Sequence, residues 1–104
     1  MNKVARLSDI PDSGVLGVTL ASGERVCLVR CGDEVSAFHD ECPHSGMPLS
    51  EGEVVGCELE CAWHGARFDC VSGLVKQGPA EDPLTRYEVR IEGDEVLVGE
   101  RRPA

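Results

Sequence analysis

The amino-acid sequence predicts a small all-β domain built from short antiparallel strands. Its 104 residues have room for one domain with a single core. Twelve glycines and six prolines suit tight turns better than helices. Short strand-like runs also alternate with clusters of turn residues at both ends of the chain, so we expect one domain over residues 1–104.

The N-terminal part of the chain predicts four strands in succession. They cover residues 3–7, 15–20, 26–30 and 35–39. Turn residues separate them at 11–14, at 21–24 and at Gly32-Asp33. Because consecutive strands joined by short turns usually pair with each other, these four predict a β-meander.

The middle of the chain interrupts this alternation. From residue 40 to about 77 the sequence carries five glycines and most of its cysteine and histidine, which predicts an insert. Strands resume at 87–91 and 95–98, with a turn at 92–94, and residues 100–104 are expected to fray. The predicted base is therefore approximately 1–39 and 78–104, and the inserted subdomain approximately 40–77.

Two thiols and two imidazoles stand in matched pairs within the insert. Cys42 and His44 form a C-x-H pair, and Cys61 and His64 form a C-x-x-H pair after a gap of 16 residues. Each spacing places both side chains on one tight loop, and two such loops can clamp one metal centre. Mixed sulfur and nitrogen ligation restricts that centre to tetrahedral zinc or a [2Fe-2S] cluster in which two histidines replace two cysteines.

The residues around these pairs favour the cluster. Residues 42–49 (CPHSGMPL) and 61–69 (CAWHGARFD), followed by Ser72-Gly73 and Gly78-Pro79-Ala80, closely resemble the Rieske [2Fe-2S] fingerprint. Nearly the whole chain resembles the Rieske-type ferredoxins of bacterial aromatic-ring-hydroxylating dioxygenase systems, such as those for carbazole, biphenyl or naphthalene. Ala62 departs from the family, which usually has proline there.

The resemblance implies a fold, a cofactor and a ligand set. The fold is an antiparallel β-sheet base that carries an inserted cluster-binding subdomain. The cofactor is one Rieske-type [2Fe-2S] cluster, with Cys42 and Cys61 on one iron and His44 and His64 on the other. With two neutral imidazoles the oxidised cluster is neutral and the reduced cluster carries −1, which raises the potential into the window of roughly −150 to +300 mV.

Four positions place this chain at the reducing end of that window. In the respiratory branch of the family, as the resemblance implies, the matching residues form a disulfide or donate hydroxyl hydrogen bonds to the cluster sulfurs. Here those positions hold side chains without such groups: Met47, Trp63, Ala66 and Phe68. Loss of donors to sulfur destabilises the reduced state, so we expect a low potential suited to feeding an oxygenase.

The sequence lacks the motifs of an oxygenase iron site and of a dinucleotide-binding site, which restricts the functions it can have. Once the cluster takes two of the three histidines, only His39 remains, and a mononuclear iron site needs two histidines with a carboxylate. The chain also lacks a G-x-G-x-x-G dinucleotide motif. We therefore expect an electron carrier without catalysis of its own, which passes single electrons from an NAD(P)H-dependent ferredoxin reductase to a terminal oxygenase. The alternatives are a Rieske-like accessory subunit of another oxidoreductase, such as nitrite reductase, and a structural zinc module.

Charge and hydropathy bear on partners and location. A net charge of −9 disfavours nucleic acids and anionic membranes and favours partners with basic docking patches. Without a run of about 18 apolar residues or an apolar signal core, we expect a cytoplasmic monomer.

The acidic residues flanking the ligand pairs are either an ordinary solvated surface or a docking ring: Asp40, Glu41, Glu51, Glu53, Glu58 and Glu60. The four remaining cysteines are expected to be either small buried hydrophobic residues or partly exposed thiols: Cys27, Cys31, Cys57 and Cys70.

Overall fold

Ten β-strands and two 3₁₀ helices make up the described part of the chain. A computed structural model of the protein describes residues 2–11, 13–32, 34–41, 48–60, 67–70, 75–77 and 85–102. The 3₁₀ helices are Leu7–Asp9 and Leu49–Glu51. The strands are β1 (Asn2–Arg6), β2 (Ser13–Thr19), β3 (Arg25–Cys31), β4 (Glu34–His39), β5 (Glu53–Val55), β6 (Glu58–Glu60), β7 (Arg67–Asp69), β8 (Val75–Gln77), β9 (Arg86–Glu92) and β10 (Glu95–Arg102). The predicted all-β class is confirmed.

Six strands form one antiparallel sheet, here called the base sheet, in the order β1-β10-β9-β4-β3-β2. Strands β2, β3 and β4 are three of the four strands of the predicted meander, with Leu28 opposite both Leu16 and Ala37. Strand β9 joins this meander to the C-terminal hairpin through the pairs Ala37–Tyr87 and Phe38–Arg86. Both ends of the chain therefore contribute to one sheet.

Two details of the base sheet differ from the prediction. Strand β1 does not extend the meander but pairs with β10, with Lys3 opposite Leu97. The 3₁₀ helix Leu7–Asp9 follows β1 and lies before the expected turn at 11–14, and the Nη1 of Arg30 donates to the Leu7 and Ile10 carbonyls at 3.2 and 3.0 Å. The C-terminal residues also do not fray before residue 102, because Arg101 and Arg102 lie opposite Tyr87 and Arg86 beyond a register shift.

The other four strands form a second antiparallel sheet, here called the small sheet, in the order β5-β6-β7-β8. It lies within the predicted insert. Leu59 sits at its centre, opposite Val54 on one side and Phe68 on the other. Leu59 and Phe68 are fully buried, whereas Glu58, Glu60 and their neighbours on alternate positions face outwards.

The two faces of β3 enter two different core clusters. Cys27 and Val29 belong to the cluster shared with the small sheet, which also contains Phe38, Leu49, Leu59, Phe68 and Cys70. Val26 and Leu28 face the other way, into a cluster with Ile10, Ala37, Tyr87, Val96 and Val98. Because successive strand residues point to opposite faces, a strand buried on both faces reads as a continuous apolar run. Strand β3 thus fixes the small sheet against the base sheet.

Candidate metal centre

The four predicted ligands lie outside the described residues. Cys42 and His44 belong to the segment 42–47, here called the first ligand segment, and Cys61 and His64 to the segment 61–66, the second ligand segment. Trp63, Met47, Ala62 and Ala66 lie outside the description for the same reason. No group of three or more potential metal-binding side chains occurs among the residues that the structure does describe. What the structure places is the chain on either side of each segment.

A buried carboxylate holds the two sides of the first ligand segment together. The Asp40 side chain is almost fully buried and accepts hydrogen bonds from the Ser50 backbone N–H at 2.7 Å and from the Ser50 hydroxyl at 2.8 Å. Arg25 contacts the same carboxylate at 3.4 Å. Asp40 precedes the segment and Ser50 follows it, so these bonds fix the distance that the segment must span. Bonds to a carboxylate are stronger than bonds between neutral groups.

An ion pair and a strand pair do the same for the second ligand segment. Glu60 ends β6 and Arg67 begins β7, and the two residues lie opposite each other in the sheet. The Arg67 Nε donates to the Glu60 carboxylate at 3.0 Å, and Nη1 lies 3.7 Å from the Glu58 carboxylate. Both sides of this segment therefore begin from adjacent positions on two hydrogen-bonded strands.

The residues that flank the two ligand segments lie close to each other in the fold. A Cβ atom on Gly52, which follows the first segment, would overlap the Glu60 carbonyl oxygen, which precedes the second. Leu49, Leu59 and Phe68, which also flank the segments, are all buried in one core cluster. Only glycine allows this close approach of two backbones. Two segments whose flanking residues lie side by side, each with one thiol and one imidazole in its sequence, fit a centre that takes two sulfur and two nitrogen ligands.

His39 lies at the end of β4, beside this anchor. Its Nε2 is 3.3 Å from the Glu41 carboxylate. Its Nδ1 is buried and has no hydrogen-bond partner among the described residues. The backbone N–H of His39 donates to the Thr85 carbonyl at 2.9 Å. His39 is thus a strand-end histidine beside a carboxylate.

The acidic residues near the ligand segments do not form one uniform surface. Asp40 is buried and bonded to Ser50 and Arg25, so it cannot belong to a docking ring. Glu58 and Glu60 are half-buried and share Arg67. The exposed carboxylates of the group are Glu41, Glu51 and Glu53.

The cysteines outside the ligand set differ from the prediction. Cys31 and Cys57 form a disulfide, with Cα atoms 5.6 Å apart, whereas only Cys27 and Cys70 are the buried free thiols that were expected. Sequence spacing could not reveal this pair, because 26 residues separate its members and the contact exists only once the two sheets pack. Cys57 did carry a local signal, since it occupies a turn position that usually holds glycine or asparagine.

A cavity of about 360 Å³ lies elsewhere, between β4 and β9. Glu34, Ser36, Arg86 and Glu88 are among its lining residues, and none of the lining residues flanks a ligand segment directly. The cavity is therefore separate from the predicted metal centre. No helix in the described part of the chain has the length and apolar character needed to cross a membrane.

Comparison with known proteins identifies the family. The model of the Rieske [2Fe-2S] domain matches residues 1–88. The ferredoxin component of a naphthalene 1,2-dioxygenase system from Pseudomonas aeruginosa is 35% identical over 92 residues, which are 88% of this chain and 88% of the relative. The ferredoxin component of a p-cumate 2,3-dioxygenase system from Pseudomonas putida is 36% identical over 91 residues, covering 86% and 77%.

Solved structures agree with the sequence relatives. A chain from the complex of reduced oxygenase and oxidised ferredoxin in carbazole 1,9a-dioxygenase superimposes with a TM-score of 0.90 at 32% identity, over 99% of this chain and 96% of that chain. The match extends beyond the ligand motif to both sheets. The chain therefore belongs to the Rieske [2Fe-2S] domain family and carries the [2Fe-2S] cluster predicted from its cysteine and histidine pairs.

Proposed function

We propose that this protein is a one-electron carrier, which takes electrons from an NAD(P)H-dependent ferredoxin reductase and passes them to the terminal oxygenase of a multicomponent aromatic-ring dioxygenase system. The observation that carries the proposal is the match, over most of both lengths, to proteins named as ferredoxin components of such systems. Those relatives are electron-transfer components and do not perform the oxygenation.

The ligand set proposed for the cluster is Cys42 and Cys61 on one iron and His44 and His64 on the other. The cluster supplies a one-electron couple. The bonds between Asp40 and Ser50 and between Glu60 and Arg67 support this set, because they join the described residues on either side of the two segments that contain the four side chains. The proposed organisation is a single domain, with a base near 1–39 and 78–104 and a cluster-binding subdomain near 40–77.

The same proposal covers location and assembly. We place the carrier in the cytoplasm as a monomer, with protein partners and neither nucleic acid nor membrane among them. The net charge of −9 supports docking to basic protein surfaces and opposes binding to polyanions.

The accessory-subunit alternative has only fold-level support. A chain described as the small subunit of a putative NADPH nitrite reductase superimposes with a TM-score of 0.80 at 23% identity. Identity that low indicates a shared Rieske fold, which many proteins with different partners use. The structural zinc module loses support because the family is defined by an iron–sulfur cluster.

The test starts from the purified protein and a terminal dioxygenase component. We expect a red-brown protein whose reduced form has the low average g value of histidine-ligated [2Fe-2S], and which reduces the Rieske centre of the oxygenase in a stopped-flow mixing experiment. His64→Cys and His44→Cys should each lower the midpoint potential, because a thiolate adds negative charge to both redox states.

Cys70→Ala serves as the control, since it removes a thiol that is not a proposed ligand. Its midpoint potential should equal that of the wild type. A colourless, zinc-loaded protein, or a histidine variant with an intact cluster and an unchanged potential, would contradict the proposed ligands. A protein with the expected spectrum that reduces no dioxygenase but co-purifies with a large partner would support the accessory-subunit role instead.

A further inference from the structure

One covalent bond outside the predicted ligand set connects the two sheets. Cys31 is the last residue of β3 in the base sheet, and Cys57 lies in the turn between β5 and β6 of the small sheet. Their Cα atoms are 5.6 Å apart, inside the range that a disulfide bridges. The bond therefore joins the small sheet to the base sheet at one point.

This pair differs in accessibility from the other two cysteines that the structure describes, Cys27 and Cys70. Cys57 is exposed and Cys31 is half-buried, whereas Cys27 and Cys70 are buried at 0% and 2% exposure. Burial raises the pKa of the Cys70 thiol to about 11 and also raises that of Cys27. Because the thiolate is the reactive form, buried thiols of this kind are inert. Among the cysteines that the structure describes, a small thiol or disulfide in solution can therefore reach only the Cys31–Cys57 pair.

The backbone at Cys57 also indicates that its side chain has a role. Cys57 has a φ of 60°, and Gly56 before it has a φ of 56°. Two successive left-handed residues form the tight turn of a hairpin, for which Asn-Gly and similar pairs are preferred. A cysteine in the second position strains the turn relative to glycine. The bond to Cys31 gives a physical reason for a cysteine at this position.

The Cys31–Cys57 bond involves none of the proposed cluster ligands, but it restrains the sheet from which the second ligand segment begins. The chain between Cys31 and Cys57 contains β4, the first ligand segment and β5. Cys57 precedes β6 and the second ligand segment follows β6, so a whole strand lies between them. The bond thus restrains the sheet from which the second segment begins without involving a proposed ligand.

We propose that Cys31–Cys57 is a reversible tie, opened by thiols and closed by disulfides of the glutathione class, which fastens the small sheet to the base sheet. It does not depend on the electron-carrier role. In a compartment kept reduced by glutathione an accessible disulfide of this kind is open, and it closes when the glutathione pool becomes oxidised.

Opening takes two exchange steps. A glutathione thiolate attacks one sulfur of the pair, most directly the exposed Cys57 Sγ, and the Cys31 sulfur leaves as a thiolate that takes up a proton. A second glutathione thiolate attacks the mixed disulfide, which releases the Cys57 thiol and one glutathione disulfide. Two thiols are oxidised and one protein disulfide is reduced, and closing is the reverse reaction.

The test equilibrates the cluster-loaded protein at several ratios of reduced to oxidised glutathione. After acid quenching, alkylation and peptide mapping should find a Cys31–Cys57 linked peptide at oxidising ratios and two additional alkylated cysteines at reducing ratios, with full reversal between them. We expect the closed form to melt on the order of 10 °C above the open form, since the bond closes a loop that includes the first ligand segment.

Cys57→Gly is the matched variant, because glycine relaxes the turn while removing the bond. It should melt below the closed wild type and at or above the open wild type, and its melting temperature should not respond to the glutathione ratio. Cys31→Ser provides the second variant and should behave like the open form. Subtracting the melting-temperature shift of these variants from that of the wild type removes any effect that glutathione has on the cluster itself. A linked peptide that never forms, that persists in excess reduced glutathione, or that forms without a change in melting temperature would overturn the proposal.

Discussion

Asp40 shows how one buried side chain can set the geometry of a metal-binding segment. Its carboxylate accepts two hydrogen bonds from Ser50 and contacts the Arg25 guanidinium. From the sequence it looked like one of several acidic residues around the ligands. Its partner follows ten residues later, after the first ligand segment, and nothing in the local sequence indicates that the two residues meet.

We expect Asp40→Asn to destabilise the protein by about 1–3 kcal/mol, because an amide accepts less strongly from Ser50 than a carboxylate does and leaves a buried polar group without a matched partner. Urea unfolding of the oxidised protein measures the loss. The cluster should also bleach faster, since the two sides of the first ligand segment are no longer held at a fixed separation.

Ser50→Ala is the matched control. It removes the hydroxyl bond at 2.8 Å but keeps the backbone N–H bond at 2.7 Å, so it should lose less stability than the Asp40 variant. Equal losses in the two variants would mean that the backbone bond contributes little. An Asp40→Asn protein as stable as the wild type would refute the anchoring role.

Residue identity predicted the chemistry better than it predicted contacts. The pairs Cys42–His44 and Cys61–His64 indicated the cluster because each ligand pair is local in sequence. The Cys31–Cys57 disulfide depends on the packing of two sheets, and 26 residues separate the two cysteines. Composition also could not distinguish Cys27, buried in β3, from Cys31, which ends the same strand.

At the scale of elements, the strands of the base sheet were predicted better than their partners, whereas none of the four strands of the small sheet was predicted. Strands β3 and β4 match their predicted ranges to within one residue at each end, because short apolar runs bounded by turns are a local signal. The pairing of β1 with β10 joins residues nearly a full chain apart. The extension of β10 to Arg102 depends on its pairing with β9 in the C-terminal hairpin. Non-local pairing leaves no trace in the spacing of turns.

The close approach of Gly52, which follows the first ligand segment, to Glu60, which precedes the second, is the feature most open to test at the scale of elements. We expect Gly52→Ala to destabilise the protein by about 1–3 kcal/mol, because the added Cβ overlaps the Glu60 carbonyl oxygen and the neighbouring backbones must separate. The yield of cluster per protein should fall with the stability. Iron content and urea unfolding measure both effects.

Gly56→Asn is the control for that substitution. Gly56 lies in the β5–β6 turn with a φ of 56° and open space around its Cβ position, and asparagine tolerates that conformation. This variant should retain the cluster and most of the stability. If Gly52→Ala also retained both, the close approach at Glu60 would not be required for the metal centre.

On the scale of the whole molecule, charge rather than shape separates possible partners. The net charge of −9 gives a long-range field that attracts basic surfaces, but docking depends on where the exposed carboxylates lie. Glu53 begins β5 directly opposite Glu60, the residue that precedes the second ligand segment. Glu34 begins β4 at the end away from the first ligand segment, about 17 Å along the strand. Both glutamates are exposed.

These two positions allow a test of docking in which net charge changes equally. We expect Glu53→Lys to slow electron transfer to a terminal oxygenase at low salt by roughly fivefold or more, which corresponds to about 1 kcal/mol of lost attraction near a basic patch. Glu34→Lys should change the rate much less. The difference should shrink as the salt concentration rises towards and beyond 0.1 M, where the Debye length is about 10 Å. Stopped-flow rates over a salt series measure both effects. The midpoint potential of each variant is determined first, so that a change in driving force is not mistaken for a change in docking.

Equal slowing by the two substitutions would indicate a response to net charge alone, and no slowing by Glu53→Lys would exclude this edge of the small sheet from the docking surface.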